Sequence, residues 1–133
     1  MKVARGIGGI DLIVSEGDIA KLLAAKAAIA AGLKTMMFEA GINATDIQRL
    51  YLAGGFGLHL DRDSAIRCGM LPDFTEHQIA VVGNSSLAGA WMCLCSADAL
   101  KNAITVSRNV TILELNRHES FEDFYIDMLS LPE

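Results

Sequence analysis

The stretch "SEGDIAKLLAAKAAIAAGLKTMMFEAG", Ser15 to Gly41, constrains the fold more than any other. Alanine, leucine and methionine fill it, all strong helix formers. Ser15 is a good N-cap, and Asp18 three residues on completes a capping-box variant with the shorter acid. Gly41 sits where a C-terminal glycine cap belongs. At about 100° per residue, Ile19, Leu23, Ala30, Leu33 and Met37 share one stripe, flanked by Leu22, Ile29 and Ala40. Lys26 falls at the centre of that stripe, whereas Lys21 lies near the opposite side. An ammonium cannot stay unpaired in a core. Two readings compete. Either the Lys26 stem lies on apolar surface with its head in water, or the stripe borders a cleft and Lys26 meets an anion or a ribose there. Gly32, inside the helix, weakens it locally or lets another element approach closely.

The next segment, "ATDIQRLYLAGGFG", predicts a helical turn near Ala44 to Gln48, capped by Thr45, then a short buried strand over "RLYLA". Gly54 and Gly55 let the backbone turn sharply or come into contact with a ligand. Asp61 or Asp63 caps the following helix, "RDSAIRCG", which stops at Gly69 with Pro72 close behind. The pattern then repeats. Ile79 to Val82 reads as a buried strand, Gly83 breaks it, and Asn84 or Ser85 caps a helix containing Ala88-Gly89-Ala90. A helix from about Ala97 to Val106, a strand over "NVTILEL" and an amphipathic helix over "HESFEDFYIDMLSL" complete the order. Strands alternating with helices predict an α/β fold with a largely parallel sheet. Ile10 to Val14 reads as a short strand, and residues 1–9 read as a tail on a single domain spanning 1–133.

Composition excludes several classes. The net charge of −5, from 11 basic and 16 acidic residues, offers no basic surface for nucleic acid. Apolar runs such as Ile79 to Val82 are far too short to span a membrane. A cytoplasmic protein is the expectation. Cys68, Cys93 and Cys95 form neither a disulfide framework nor a usual metal spacing, so they read as apolar filler and no metal site is expected. His59, His77 and His118 lie in separate polar segments and read as lone exposed side chains. No catalytic set emerges.

Together, "DIAKLLAAKAAIAAGLKTMM", "DIQRLYLAGGFGLHLD", "GMLPD" and "VVGNSSLAGA", in this order, resemble the C-terminal half of the reductive activators of corrinoid proteins. The resemblance runs from about Gly9 to Glu133. It implies an RNase H-like half-domain of the actin, chaperone ATPase and sugar kinase superfamily, a mixed sheet flanked by helices, in which two such domains clamp ATP. "LYLAGGFG" is similar to the superfamily's adenosine motif, which makes Gly54, Gly55, Phe56 and Gly57 nucleotide contacts. "NSSLAGA" is similar to the connecting helix, with Asn84 and Ser85 as weaker candidates. The long helix is similar to the one that supplies basic side chains to ribose and adenine, and Lys26 is the residue placed to do so.

For the whole protein, the resemblance implies ATP-dependent reduction of a Co(II) corrinoid to Co(I) in a methyltransferase system. ATP with magnesium, a corrinoid protein as partner, and a homodimer come with it. It also implies an N-terminal ferredoxin-type domain holding a [2Fe-2S] cluster on four cysteines, a set this chain does not contain. No Asp-x-Gly phosphate loop occurs either. Phosphoryl transfer needs charge stabilisation from both walls of a cleft, so the isolated chain is expected to bind nucleotide weakly and not to hydrolyse it. Two rivals stand beside this reading. One is another superfamily member, a kinase half or an acyl-CoA dehydratase activator with Cys93 and Cys95 at a cluster. The other is a non-enzymatic dimerisation module.

Overall fold

The computed structural model of the chain describes residues 2–5 and 11–132. Its backbone is helix α1, Glu16–Ala40. The Ser15 hydroxyl accepts the Asp18 N–H at 3.2 Å, and the Asp18 carboxylate accepts the Ser15 N–H at 3.0 Å and its hydroxyl at 2.7 Å. Those bonds, the hydroxyl's first and the backbone's second, hold the Asp18 carboxyl below its usual range. At the other end Gly41 takes φ +65°, and its N–H returns to the Met37 and Phe38 carbonyls.

The buried face of α1 is rotated away from the expected stripe. Lys26, Ala27, Ala30, Ala31, Gly32 and Thr35 are buried, while Ile19 and Leu22 are about half exposed, at 46% and 52%. Small residues win because the packing against them is close. A Cβ on Gly32 would come within 3.3 Å of Leu115 Cδ1, so Gly32 does admit a neighbouring element. That neighbour is the end of the chain, a turn at Leu115–Arg117 and helix α6, Glu119–Asp127. Lys34 Nζ stands 4.4 Å from the Phe124 ring centre and 3.8 Å from Asp127. Phe38 meets Phe124 edge-on at 5.9 Å.

His118 departs from the exposed reading. It is half-buried, its Nδ1 accepts the Ser120 N–H at 3.2 Å, and its Nε2 therefore donates to Glu39 at 2.7 Å.

Strand β3, Leu50–Ala53, runs parallel to β4, Ile79–Gly83, with Leu50 opposite Ile79 and Ala53 opposite Gly83. The connection carries α2, Gly54–His59, and α3, Arg62–Arg67. Asp61 caps α3, accepting the Ser64 N–H at 2.8 Å. Beneath lies the core of Ala65, Met70, Leu71, Phe74 and Ile79. Helix α4, Ser85–Cys95, is capped by Asn84, and α5, Ala97–Asn109, by Ser96.

Several expectations are corrected. The first helical turn covers Ala44–Asp46, with Asn43 rather than Thr45 at its N-cap. Among the described residues the strands form two pairs, the parallel β3 with β4 and an antiparallel pair of β1, Lys2–Arg5, with β2, Asp11–Ile13. Residues 2–5, read as part of a tail, are thus a paired strand. The remaining tail positions and Ile10 lie outside the described residues. "NVTILEL" forms no strand, and its Ile112 is 83% exposed. An alternating pattern becomes a strand only beside a ladder, and no strand lies beside it among the described residues.

Candidate functional site

The glycine turn is the point where β3 becomes α2 with no loop between them. Gly54 makes the reversal at φ +79°, a conformation that a side chain strains. Ala53, at the N-cap, has no side chain that can accept a hydrogen bond. The other described α-helices each start on a side-chain acceptor, Ser15, Asp61, Asn84, Ser96 or His118. No side chain therefore caps the first-turn N–H groups of α2. The sequence reads "GGFG" as a turn, yet Gly54–His59 is helical, because Gly57 lets the helix lie on the strand. A Cβ there would sit 3.1 Å from the Leu52 carbonyl carbon and Cβ.

Gly55 differs from both neighbours. Its φ is not positive, and a Cβ built on it meets nothing within 4 Å. Gly55 and the 65%-exposed Phe56 line an open hollow of about 590 Å³. Leu22 of α1 faces them, with His59, Ser64, Cys68 and Met70 completing the wall. The lining is mostly apolar, with polar groups from Asp61, Ser64 and His59 at its edge. Asp61 is ionised more readily than usual, because Ser64 hydrogen-bonds it first through its side chain and then through its backbone.

The predicted site residues do not all meet here. Gly55 and Phe56 line the hollow. Gly54 and Gly57 shape the turn beneath them without lining it. Asn84 is exposed and engaged in capping α4, its Oδ1 accepting the Leu87 N–H at 3.0 Å; Ser85 is the first residue of that helix. Lys26 fits neither reading made from the sequence. It is 1% exposed, so its head does not reach water, and its ammonium donates to the Ser130 carbonyl rather than facing the hollow. The partner lies 104 positions away, which helical periodicity cannot reveal. Sequence reasoning misses Leu22, Ser64, Cys68 and Met70 as site residues. For Cys68 the missed signal is its place in the stretch between the α3 cap and Gly69.

Among the other hollows are two of about 430 Å³ each, the first of which adjoins the 590 Å³ hollow through Leu60 and Asp61. The first is lined by Leu60, Asp61, Arg62, Asp63, Ile66, Phe74 and Ile79. The other, between α1 and α6, is lined by Lys34, Phe38, Ile42 and Phe124 among others. Among the described residues no three His, Cys, Asp or Glu side chains gather as a metal site, and no helix is long and apolar enough to cross a membrane.

Comparison with known proteins agrees with this architecture. The chain is 29% identical over 118 residues to the corrinoid activation enzyme RamQ of Eubacterium limosum, covering 89% of this chain and 20% of that protein. It is 30% identical over 124 residues to the [Co(II) methylated amine-specific corrinoid protein] reductase of Methanosarcina barkeri, covering 92% of this chain and 23% of the relative. A solved reductive activator for corrinoid, iron–sulfur protein superposes with a TM-score of 0.83 at 38% identity, over 94% of this chain and 20% of its own. The chain thus spans about a fifth of the length of each of these proteins. The family model described as the C-terminal domain of RACo, the ASKHA domain, matches residues 2–133. The chain belongs to that family, the C-terminal ASKHA domains of the corrinoid-protein reductive activators.

Proposed function

We propose that this chain is the nucleotide-binding C-terminal lobe of an ATP-dependent activator that returns a Co(II) corrinoid protein to Co(I). The observation that carries the reading is Gly55. Helix α2 gains nothing from a glycine at that position, where alanine is the better helix former and open space surrounds the missing Cβ. A nucleotide pressed against bare backbone gives that glycine a purpose. Phe56 and Leu22 offer apolar surface to the base. The uncapped N–H groups of α2 offer donors to its polar atoms.

The chain's own contribution to the reaction is binding and orientation. Gly54 aims α2 at the hollow, Gly57 seats it against Leu52, and Ser64 fixes the Asp61 carboxylate at the rim. ATP with magnesium supplies the energy of the cycle when bound; the second wall that would hold its phosphates lies on another domain. The [2Fe-2S] cluster does not fit here. Cys68, Cys93 and Cys95 are free thiols, and no metal-ligating group of three forms among the described residues.

The exposed sheet and helix faces favour a lobe of a larger clamp over a self-sufficient module. Leu87, Trp91 and Leu94, on one side of α4, are 67%, 67% and 84% exposed. Parallel sheets are ordinarily covered on both faces, yet Tyr51 of β3 is 60% exposed. A nucleotide moves such a clamp only through different affinity for its open and closed forms. The same reading makes the full protein a cytoplasmic homodimer.

The test is anaerobic spectrophotometry of the corrinoid in an activator that carries this domain. ATP-dependent appearance of Co(I), lost in Gly55→Asp, is the expected result. Reduction that proceeds equally without ATP, or unchanged in the variant, contradicts the proposal.

A further inference from the structure

The nucleotide reading leaves one buried charge unused. Lys26 is 1% exposed in the middle of α1. Burying an ammonium is costly unless it is paired, and its partner is the Ser130 carbonyl, three residues past the end of α6. The segment from Ser130 to Pro132 then passes over Gly69. A Cβ on Gly69 would lie 2.9 Å from Pro132 Cγ and 3.6 Å from Lys26 Nζ. Gly69 also holds φ +75°. Three elements thus meet at one point, the middle of α1, the turn after α3, and the strap at residues 130–132. Cys68 and Met70, the two neighbours of Gly69, line the 590 Å³ hollow, and so does Leu22, one helical turn before Lys26.

We infer that Lys26 is a latch, a positioning residue that pins the strap onto the Gly69 turn and thereby fixes the Cys68–Met70 wall of the hollow. Its ammonium never touches the hollow's occupant. It acts through the Ser130 carbonyl and Pro132, so that the shape of the hollow depends on a strap far away in sequence. This goes beyond the nucleotide reading, since it stands on the hollow's geometry whatever the occupant.

Cys68 reports on that wall. It is half-buried, and its Sγ donates to the Ala65 carbonyl at 3.4 Å. In a Cys93→Ser/Cys95→Ser background, the rate of Cys68 labelling by a disulfide reagent measures local opening of the turn. Lys26→Met keeps an unbranched side chain, one heavy atom shorter, and removes the charge. The rate is expected to rise about tenfold, as a lost hydrogen bond from a charged group implies, while amide exchange in α5 stays as in the parent. Pro132→Ala raises the rate less. Adding it to Lys26→Met brings no further rise, because both act through one strap.

A parental labelling rate in folded Lys26→Met overturns the inference. So does a matching rise of exchange in α5, which marks a purely global loss of stability, and so do effects that multiply in the double variant. Should Lys26→Met not fold, Pro132→Ala decides alone, with faster Cys68 labelling supporting the latch and an unchanged rate overturning it. A separate arm adds ATP to the parent. Its failure to protect Cys68 counts against the nucleotide reading and leaves the latch untouched.

Discussion

Replacing Gly55 by alanine separates what the fold needs from what a ligand needs. Within this chain the methyl group meets no atom within 4 Å, and the residue's φ is not in the left-handed region. Gly→Ala at a compatible helical position gains about 0.4–1 kcal/mol, chiefly by reducing the freedom of the unfolded chain. For a domain of this size that is roughly 1.5–4 °C in Tm. The neighbouring glycines behave oppositely. Gly54→Ala places a Cβ at φ +79°, costing about 1–2 kcal/mol. Gly57→Ala drives a methyl to 3.1 Å from Leu52 backbone, costing about 1–3 kcal/mol. Urea denaturation orders the three variants, and a nucleotide titration followed by amide shifts completes the measurement. Gly55→Ala is expected to be the most stable of the three and to bind ATP about tenfold more weakly, a loss of roughly 1.4 kcal/mol. A destabilised Gly55→Ala refutes the claim of open space. A stable one that binds as well as the parent refutes the claim that nucleotide presses on this backbone.

Gly69→Ala combines a strained φ of +75° with a 2.9 Å approach to Pro132 Cγ, and a loss of about 2 kcal/mol or more in urea unfolding is expected. Ser15→Ala removes the hydroxyl half of the α1 capping box, lowering stability by about 1 kcal/mol in the same assay. Asp18 and Asp61 have folded-state pKa values below the ordinary aspartate value of 3.8. Their caps therefore contribute fully above pH 3.8, and that contribution is lost as the pH falls through the lower folded values; acid titration followed by helical circular dichroism should show no cap-dependent loss above that point. Trp91, 67% exposed on α4, should fluoresce as a solvated indole in this chain and shift to the blue in a protein that carries the rest of the activator. An unshifted emission would remove α4 as an interdomain face.

The elements most legible in the sequence are those with local causes. Ser15, Asp18 and Gly41 mark α1 because caps bind groups three or four residues away, and Gly83 with Asn84 mark the step from β4 to α4 for the same reason. The turn at Gly54 is readable because only a positive φ joins β3 so abruptly to α2. The features that escape depend on distant partners. The buried face of α1 is set by Leu115 and α6, so small residues, not the largest apolar ones, turn inward. Lys26 is placed by Ser130. Helix α2 resembles a loop in sequence because glycines lower helix propensity, while the contact with Leu52 that favours them is invisible locally. "NVTILEL" carries a strand's alternation without a neighbour to complete its ladder.

Backbone amide mapping of an isotopically labelled chain titrated with ATP and magnesium to millimolar concentration tests the central claim most directly. Shifts are predicted to concentrate at Gly55 and Phe56 and at Leu22, Ser64 and Met70 across the hollow, and to fade in Gly55→Asp. No shift at Gly55 and Phe56, or a response centred on Lys34, Phe38 and Phe124 instead, would contradict it.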